Sequence, residues 1–255
     1  MPGRHGSEWV AGMIGILIFE WYRETYGDRN KIDFTLGHVV MVLQGTYWRI
    51  RIPLSYGTVR LFASRQLGQQ TPSLATRGQE PPSYNVLDAV QGLTQVYANR
   101  LSEAELVHVF KSFAAGSQAL AVLDAMRGEV LFEEAKGDYH HSVSALMDGP
   151  TFGKARWDNA QAAEKLFKGL LSEGKQAYPK GGPKAHDIVH LGGLVQSYLG
   201  IPIPESLLRT INCPTGARYA EMNVDQNEAW TSHMALLSML RVIGIAKFSQ
   251  LAQGT

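Results

Sequence analysis

The feature that most constrains this chain is a change in hydrophobic period across residues 66–83. Before this segment, apolar and polar side chains alternate, as in residues 47–52, which is the period of a half-buried β-strand. After it, apolar residues recur with the spacing of an amphipathic helix. The segment itself is rich in Gln, Thr, Ser, Gly and Pro, which is typical of a linker or a long surface loop. The pattern predicts an α+β protein, in which a small antiparallel β-containing N-terminal part precedes a mainly α-helical part.

The clearest predicted strand covers residues 47–52. Alternation puts its side chains on two faces, Trp48, Ile50 and Ile52 on one and Tyr47, Arg49 and Arg51 on the other. A second alternation over residues 59–63 follows the turn residue Gly57. We expect these two stretches to form a hairpin or a meander.

Beyond the linker the spacing predicts a series of helices. The first covers residues 86–97, and the second begins at Ser102, which has the three-residue spacing to Glu105 of a capping box. Gly128 is expected just past the end of that helix, where glycine is the preferred residue. The other helical stretches are residues 131–147, 157–173, 187–199 and about 226–249. Short Gly- and Pro-rich breaks join them, so we expect antiparallel neighbours in an up-down bundle.

The length of 255 residues exceeds that of most single domains, and we expect more than one folded region. The predicted regions are a β-rich N-terminal region over residues 1–75, a linker plus helical hairpin over residues 76–130, and a helical bundle over residues 131–255. A hydrophobic fraction of 45% is enough for a sizeable core and excludes disorder along the whole chain.

Charge and cysteine content exclude several classes of protein. A formal net charge of +1 lacks the strong positive field of a dedicated duplex-DNA binder. The single cysteine, Cys213, forbids an intramolecular disulfide and favours a reducing compartment, so we expect the cytoplasm. The apolar run at residues 10–19 is shorter than the roughly 20 residues that cross a bilayer, so we expect no membrane association through it.

Three stretches of the C-terminal half share an order with a known family. Residues 157–171 form the most family-like helix, residues 183–191 open the next one with His186-Asp187 and an apolar residue, and Arg218-Tyr219 precedes the last long helix. This order resembles the HEPN domain, a helical bundle that occurs in higher eukaryotes and prokaryotes. The resemblance covers a little under half of the chain. It implies a HEPN-like up-down bundle that binds nucleotide, RNA or a protein partner.

The resemblance also predicts a binding cleft lined by Glu164, His186 and Arg218. Lys168, on the same helix as Glu164, and Tyr219, beside Arg218, complete the candidate set in this half of the chain. A guanidinium ahead of a helix suits a phosphate or carboxylate, because its planar fork donates two parallel hydrogen bonds. A salt bridge to Glu164 or Glu221 is the structural alternative for Arg218. For Asp187, capping of the third bundle helix is favoured over a catalytic role.

Catalytic members of this family cut RNA with an Arg followed after four to six residues by a His. No Arg in this chain has a His at that spacing, and Arg218 is followed only by His233. The catalytic residues are therefore unknown, and we expect a non-catalytic binding protein. The alternative is a metal-independent ribonuclease in which Arg218 and His233 meet in space, across a homodimer of the kind that such domains commonly form.

A third hypothesis places the binding surface in the N-terminal part, as in a toxin-antitoxin or immunity-type interaction protein. This surface would be a basic, aromatic sheet face that holds phosphates and stacks on a base, formed by Tyr47 with Arg49, Arg51, Arg60 and Arg65. A solvated sheet face is the simpler interpretation of the same residues.

Metal and cofactor motifs are absent from the sequence. It contains no Walker A loop, no His-Glu-x-x-His and no Gly-x-Gly-x-x-Gly after a strand. His186 and His190 share a helix face, but a zinc site needs a third ligand that the sequence does not identify. We therefore expect no metal and no cofactor.

Overall fold

The structure of the protein is a computed structural model. It describes residues 35–55, 57–69, 80–149, 152–217, 219 and 221–253, and a few positions within 17–25. The contacts divide the chain into two compact units, Met1–Phe34 and Thr35–Thr255. This division differs from the expected boundaries near residues 75 and 130.

In the first unit the described positions, 17–18, 20–21 and 24–25, are helical. Leu17, Ile18 and Trp21 each expose more than half of their surface. Most of the apolar run at residues 10–19 lies outside the described residues.

The second unit opens with a two-stranded antiparallel sheet. Strand β1 (Thr35–Leu43) pairs with β2 (Thr46–Pro53) across the turn Gln44-Gly45. Both turn residues have positive φ, 51° and 75°, which matches the right-handed twist of two strands joined by a two-residue loop. The antiparallel part that we expected near the N-terminus is thereby confirmed.

The predicted faces of β2 are also confirmed at their buried positions. Ile50 and Ile52 are fully buried, Trp48 is partly buried, and Arg51 is exposed. On β1, Val39 packs so closely on Gly116 of the helical part that a Cβ at Gly116 would lie 2.8 Å from the Val39 side chain. The buried face of the sheet therefore shares a core with the helices. For this reason the sheet and the helices belong to one compact unit, Thr35–Thr255.

The expected hairpin at residues 59–63 is wrong. Strand β3 (Arg60–Phe62) instead pairs in parallel with β4 (Ser83–Asn85). The buried Asn85 side chain explains the pairing, because its Oδ1 accepts from the Ser64 N–H at 3.0 Å and its Nδ2 donates to the carbonyls of Ser64 and Gln66.

The predicted helix at residues 86–97 is also wrong. The chain forms a 3₁₀ turn at Val86–Ala89 and then the single turn α1 (Gln95–Ala98). Between them Val90 bridges to Ile50, and the Gln91 N–H donates to the Arg49 carbonyl at 2.9 Å. Pairing with the edge of β2 therefore prevents residues 86–97 from forming one continuous helix.

The remaining helices match the sequence-based expectations within a few residues, apart from one that was not expected. They are α2 (Glu103–Ala125), α3 (Val130–Asp148), α4 (Phe152–Glu173), α5 (Ile188–Leu199), α6 (Glu205–Ile211) and α7 (Gln226–Gln253). The capping box at Ser102 and Glu105 is present at the start of α2. Helix α6 was not expected, because prolines usually interrupt helices. Pro204 stands at its N-cap, where the missing N–H of proline costs no helical hydrogen bond.

Helices α3 and α4 form an antiparallel pair. Phe132, near the start of α3, packs on Gly169, near the end of α4, where a Cβ would lie 2.5 Å from the Phe132 ring. At the same end, the Ser172 hydroxyl donates to Glu129 at 3.2 Å. Helix α7 packs against α2, α4 and α6 and closes the core. The second unit is therefore a mainly helical α+β structure with a small sheet at its beginning.

Helices α2 and α7 are long and apolar enough to cross a membrane by length and composition. In both, however, a large share of the apolar window is buried inside the folded unit, 44% in α2 and 61% in α7. Core helices of soluble proteins have the same length and composition. The described part of the chain is compatible with a soluble protein.

Candidate functional site

One face of α4 lines a cleft of about 340 Å³. Positions 154, 157, 158, 161 and 165 are spaced by three or four residues, so their side chains lie on one side of the helix. Helix α3 contributes one residue to the cleft and the segment before α7 contributes another. We call this the α4 cleft, and its lining consists of Asp138, Lys154, Trp157, Asp158, Gln161, Lys165 and Tyr219.

Two ion pairs organise the charges of the α4 cleft. Lys154 Nζ contacts Asp158 Oδ2 one helical turn away, and Lys165 Nζ lies 2.8 Å from Asp138 Oδ2 on α3. Glu134 lies 3.2 Å from the same lysine. Partial burial alone would lower the pKa of Lys165, but the hydrogen bonds and charges of Asp138 and Glu134 outweigh it and raise the pKa. Lys165 is therefore held as a cation between two helices.

Two aromatic rings share the cleft with these ion pairs. Tyr219 exposes 62% of its surface, and Trp157 is partly buried. The amide of Gln161, with donors and an acceptor, lies in the same lining. A ring surface next to hydrogen-bonding groups is the combination that binds a flat, polar, heteroaromatic ligand.

The structure brings together three of the predicted binding residues, Glu164, Lys168 and His186. The Glu164 carboxylate is buried, with Lys168 Nζ 2.6 Å from Oε1 and His186 Nδ1 3.1 Å from Oε2. Gln161 Nε2 lies 3.5 Å from Glu164 Oε2, so this Glu164 cluster adjoins one end of the α4 cleft. The side chain of His186 is two-thirds exposed, which leaves its ring accessible from solvent.

The other predicted residues of this half divide into three cases. Arg218 lies outside the described residues. Tyr219 lies in the α4 cleft and not in the Glu164 cluster. Asp187 caps α5 as expected, because its Oδ1 accepts from the N–H groups of Val189 and His190 at 2.9 and 3.3 Å.

The structure argues against a catalytic role for His233. Its side chain is fully buried, its Nε2 accepts the Val40 N–H at 3.1 Å, and its ring stacks on Tyr139 at 5.7 Å between centroids. Burial lowers its pKa to about 4, so the imidazole is neutral at pH 7. A neutral histidine enclosed in the core does not reach a substrate.

The predicted basic face of the sheet is charge-compensated. Arg49 Nη2 lies 2.8 Å from Asp148 Oδ2, and Arg60 lies 3.4 Å from Glu80. Arg51 is exposed near Tyr84, whose pKa is raised by burial and by Asp88 and is partly lowered again by the arginine. This face therefore offers less free positive charge to a phosphate than the count of arginines suggested.

Sequence reasoning missed six of the seven residues that line the cleft, Asp138, Lys154, Trp157, Asp158, Gln161 and Lys165. The signal for those on α4 was present, because Lys154 and Asp158 have ion-pair spacing on a helix and Trp157 shares their face. Nothing in the local sequence indicated that Asp138 and Tyr219 would join them. Among the residues that the structure describes, no group of three or more His, Cys, Asp or Glu side chains could hold a metal ion.

Comparison of the chain with models of protein families finds no match. Comparison with curated proteins and with solved structures likewise finds none.

Proposed function

We propose that this chain is a HEPN-like helical protein that binds a nucleotide unit, free or at the end of an RNA, in the α4 cleft and does not cut it. The observation that carries the proposal is the presence of two aromatic rings, Trp157 and Tyr219, in one cleft with two lysine–aspartate pairs. The HEPN part of the proposal rests on the resemblance of residues 157–171, residues 183–191 and Arg218-Tyr219 to that family.

In this proposal the base stacks on Trp157 or Tyr219, because every base has a π-face that an aromatic ring can cover. The Gln161 amide then donates to and accepts from the edge of the base. Gln161 Nε2 lies 3.5 Å from Glu164 Oε2, so the Glu164 cluster continues the polar surface of the cleft. A neighbouring nucleotide of an RNA chain would contact this cluster. Arg218 precedes Tyr219 in the chain, and we keep it in the proposal as a ligand for a single phosphate.

The absence of cleavage is supported by the buried position of His233, the residue that a rearranged ribonuclease site would use. The same proposal assigns the protein to the cytoplasm. The single cysteine, Cys213, fits this assignment, because it cannot form an intramolecular disulfide. We also propose that it forms a homodimer, as such domains commonly do.

Isothermal titration calorimetry with the four ribonucleoside monophosphates and a short single-stranded RNA tests the function. We expect at least one monophosphate to bind, and Trp157→Ala to weaken binding by about fivefold or more, the loss of one stacked base. Tyr198→Ala is the matched control, since Tyr198 is partly exposed on α5 and does not line the cleft.

Arg218→Ala should weaken binding of the monophosphate and leave binding of the corresponding nucleoside unchanged. The RNA should stay intact on prolonged incubation without metal. The proposal fails if neither the monophosphates nor the RNA bind, or if Trp157→Ala and Tyr198→Ala behave alike.

A further inference from the structure

We propose that the α4 cleft recognises the nucleoside part of its ligand, the base and the ribose, and that a polyphosphate adds little to binding. This inference rests on the proposed function and narrows it to a class of ligand. Three properties of the cleft carry it: its charge balance, its size and the position of its carboxylates.

The positive charges of the described lining are already compensated. Lys154 and Lys165 are its two cations, and Asp158 and Asp138 are its two anions. Each lysine forms an ion pair with one of these aspartates, and Glu134 adds a second carboxylate near Lys165. This lining therefore has no net positive charge with which to attract the several negative charges of a polyphosphate.

A polyphosphate could use these lysines only by drawing them away from their carboxylates. The Asp158 side chain is 10% exposed, so loss of Lys154 would leave a largely buried charge without its partner. Lys165 is held by two acids on α3, Glu134 and Asp138, and would have to leave both. An uncharged ligand leaves every pair in place.

The size of the cleft favours the same class of ligand. Its volume of about 340 Å³ is near the lower end of the roughly 300–1,000 Å³ that small-molecule sites span. A nucleoside fits such a volume better than a nucleoside triphosphate with its extended phosphate chain.

Asp138 and Asp158 provide the contacts that a ribose requires. A carboxylate accepts hydrogen bonds from hydroxyl groups, and an acidic side chain binds the ribose 2′-hydroxyl in dinucleotide sites. Both aspartates line the cleft together with Trp157 and Tyr219. A base stacked on a ring would therefore have its sugar within the same cleft as two acceptors, and the site should prefer ribonucleosides to 2′-deoxyribonucleosides.

The test is isothermal titration calorimetry with adenosine, guanosine, cytidine and uridine, followed by the 2′-deoxy form and the mono- and triphosphate of the nucleoside that binds most tightly. We expect the triphosphate to bind within about tenfold of the nucleoside, and nucleoside affinity to change less than about twofold between low and high NaCl. The 2′-deoxy form should bind about tenfold more weakly.

Asp158→Asn and Asp138→Asn should each be measured with the ribose and 2′-deoxy forms, and at least one should reduce the preference for ribose to near unity. Asp124→Asn, an acid at the end of α2 outside the cleft, is the control. Circular dichroism verifies that each variant is folded.

The outcomes separate the two proposals. A triphosphate that binds more than about tenfold more tightly than the nucleoside, with an affinity that falls steeply with salt, overturns this inference and leaves the proposed function standing. An unchanged ribose preference in both aspartate variants also overturns it. If no nucleoside, nucleotide or RNA binds, both proposals fail.

Discussion

The backbone of Gly153, in the first turn of α4, lies directly against Ala217: a Cβ at residue 153 would be 2.2 Å from the Ala217 carbonyl oxygen. Ala217 is buried in the short 3₁₀ turn Thr215–Ala217, which precedes Tyr219 in the chain. Only glycine permits this approach, because a Cβ so close to a backbone oxygen would force the two segments apart. The contact therefore seats the segment that carries Tyr219 on the helix that carries most of the α4 cleft.

Gly153→Ala should consequently destabilise the protein and weaken nucleoside binding. Forcing the turn at Thr215–Ala217 away from α4 is an overpacking change, for which we expect a loss of roughly 1–3 kcal/mol in the free energy of unfolding. Urea denaturation measures this loss.

Gly137→Ala on α3 is the matched control: no neighbouring atom lies within 4 Å of its Cβ, so higher helix propensity should stabilise the protein by roughly 0.5–1 kcal/mol. Equal effects of the two substitutions would contradict the role of the Ala217 contact.

The buried His233 makes stability depend on pH. Its pKa of about 4 in the folded protein lies below the usual histidine value of 6.5. The unfolded chain therefore takes up a proton in this pH range while the folded protein does not, so stability is constant above about pH 6.5 and falls as the pH drops toward 4. Between pH 7 and pH 5 this residue alone should cost about 2 kcal/mol.

Urea denaturation of the wild type and of His233→Gln at pH 7 and pH 5 isolates this contribution. Glutamine cannot be protonated, and its side-chain oxygen can still accept the Val40 N–H. We expect the variant to be less stable than the wild type at pH 7 but to lose less stability between the two pH values. If both proteins lose the same amount, His233 does not carry the pH dependence.

The capping box of α2 should contribute measurably to stability. The Ser102 hydroxyl accepts the Glu105 N–H, and the Glu105 carboxylate accepts the Ser102 N–H at 2.6 Å. Ser102→Ala removes the first of these bonds, and we expect a loss of about 1 kcal/mol in the free energy of unfolding. Ser197→Ala is the control, because the Ser197 hydroxyl is exposed and donates only to a carbonyl of its own helix, α5. A Ser102→Ala variant as stable as Ser197→Ala would mean that the box does not stabilise α2.

Glu164→Gln tests the cluster beside the cleft. The change keeps the shape of the side chain but removes the negative charge that faces Lys168, whose side chain is 14% exposed. The largely buried Lys168 ammonium would then lack its carboxylate partner. We therefore expect a loss of roughly 2 kcal/mol in the free energy of unfolding. Glu80→Gln, which affects the exposed pair of Arg60 and Glu80, should cost less than about 0.5 kcal/mol. Thermal and urea denaturation of the two variants give the comparison.

Much of the helical framework could be predicted from the sequence, because the signals are local. The period of apolar residues located α2 to α5 and α7, and the capping residues Ser102 and Asp187 marked two helix starts that the structure confirms. The faces of β2 followed from alternation in the same way. Each of these features depends on residues a few positions apart, so neighbouring side chains are sufficient to indicate them.

The errors arise where distant segments meet. The parallel pairing of β3 with β4 depends on Asn85, which binds backbone groups of Ser64 and Gln66, and the helix expected at residues 86–97 is interrupted by pairing of Val90 with Ile50. A local pattern does not contain these contacts, because tertiary hydrogen bonds outweigh the small differences in intrinsic propensity.

The sequence by itself determined the positions of α2 to α5 and α7 and the presence of an antiparallel strand in the N-terminal part. Through the HEPN resemblance it also indicated Glu164, Lys168 and His186 as site candidates. Only the tertiary structure decided what these residues do. It gathered Asp138 from α3 and Tyr219 from the segment before α7 onto α4, enclosed His233 in the core and neutralised Arg49 with Asp148. The physical reason is that burial and ion pairing depend on which surfaces pack together, and surfaces far apart in the chain are matched only when the whole core forms.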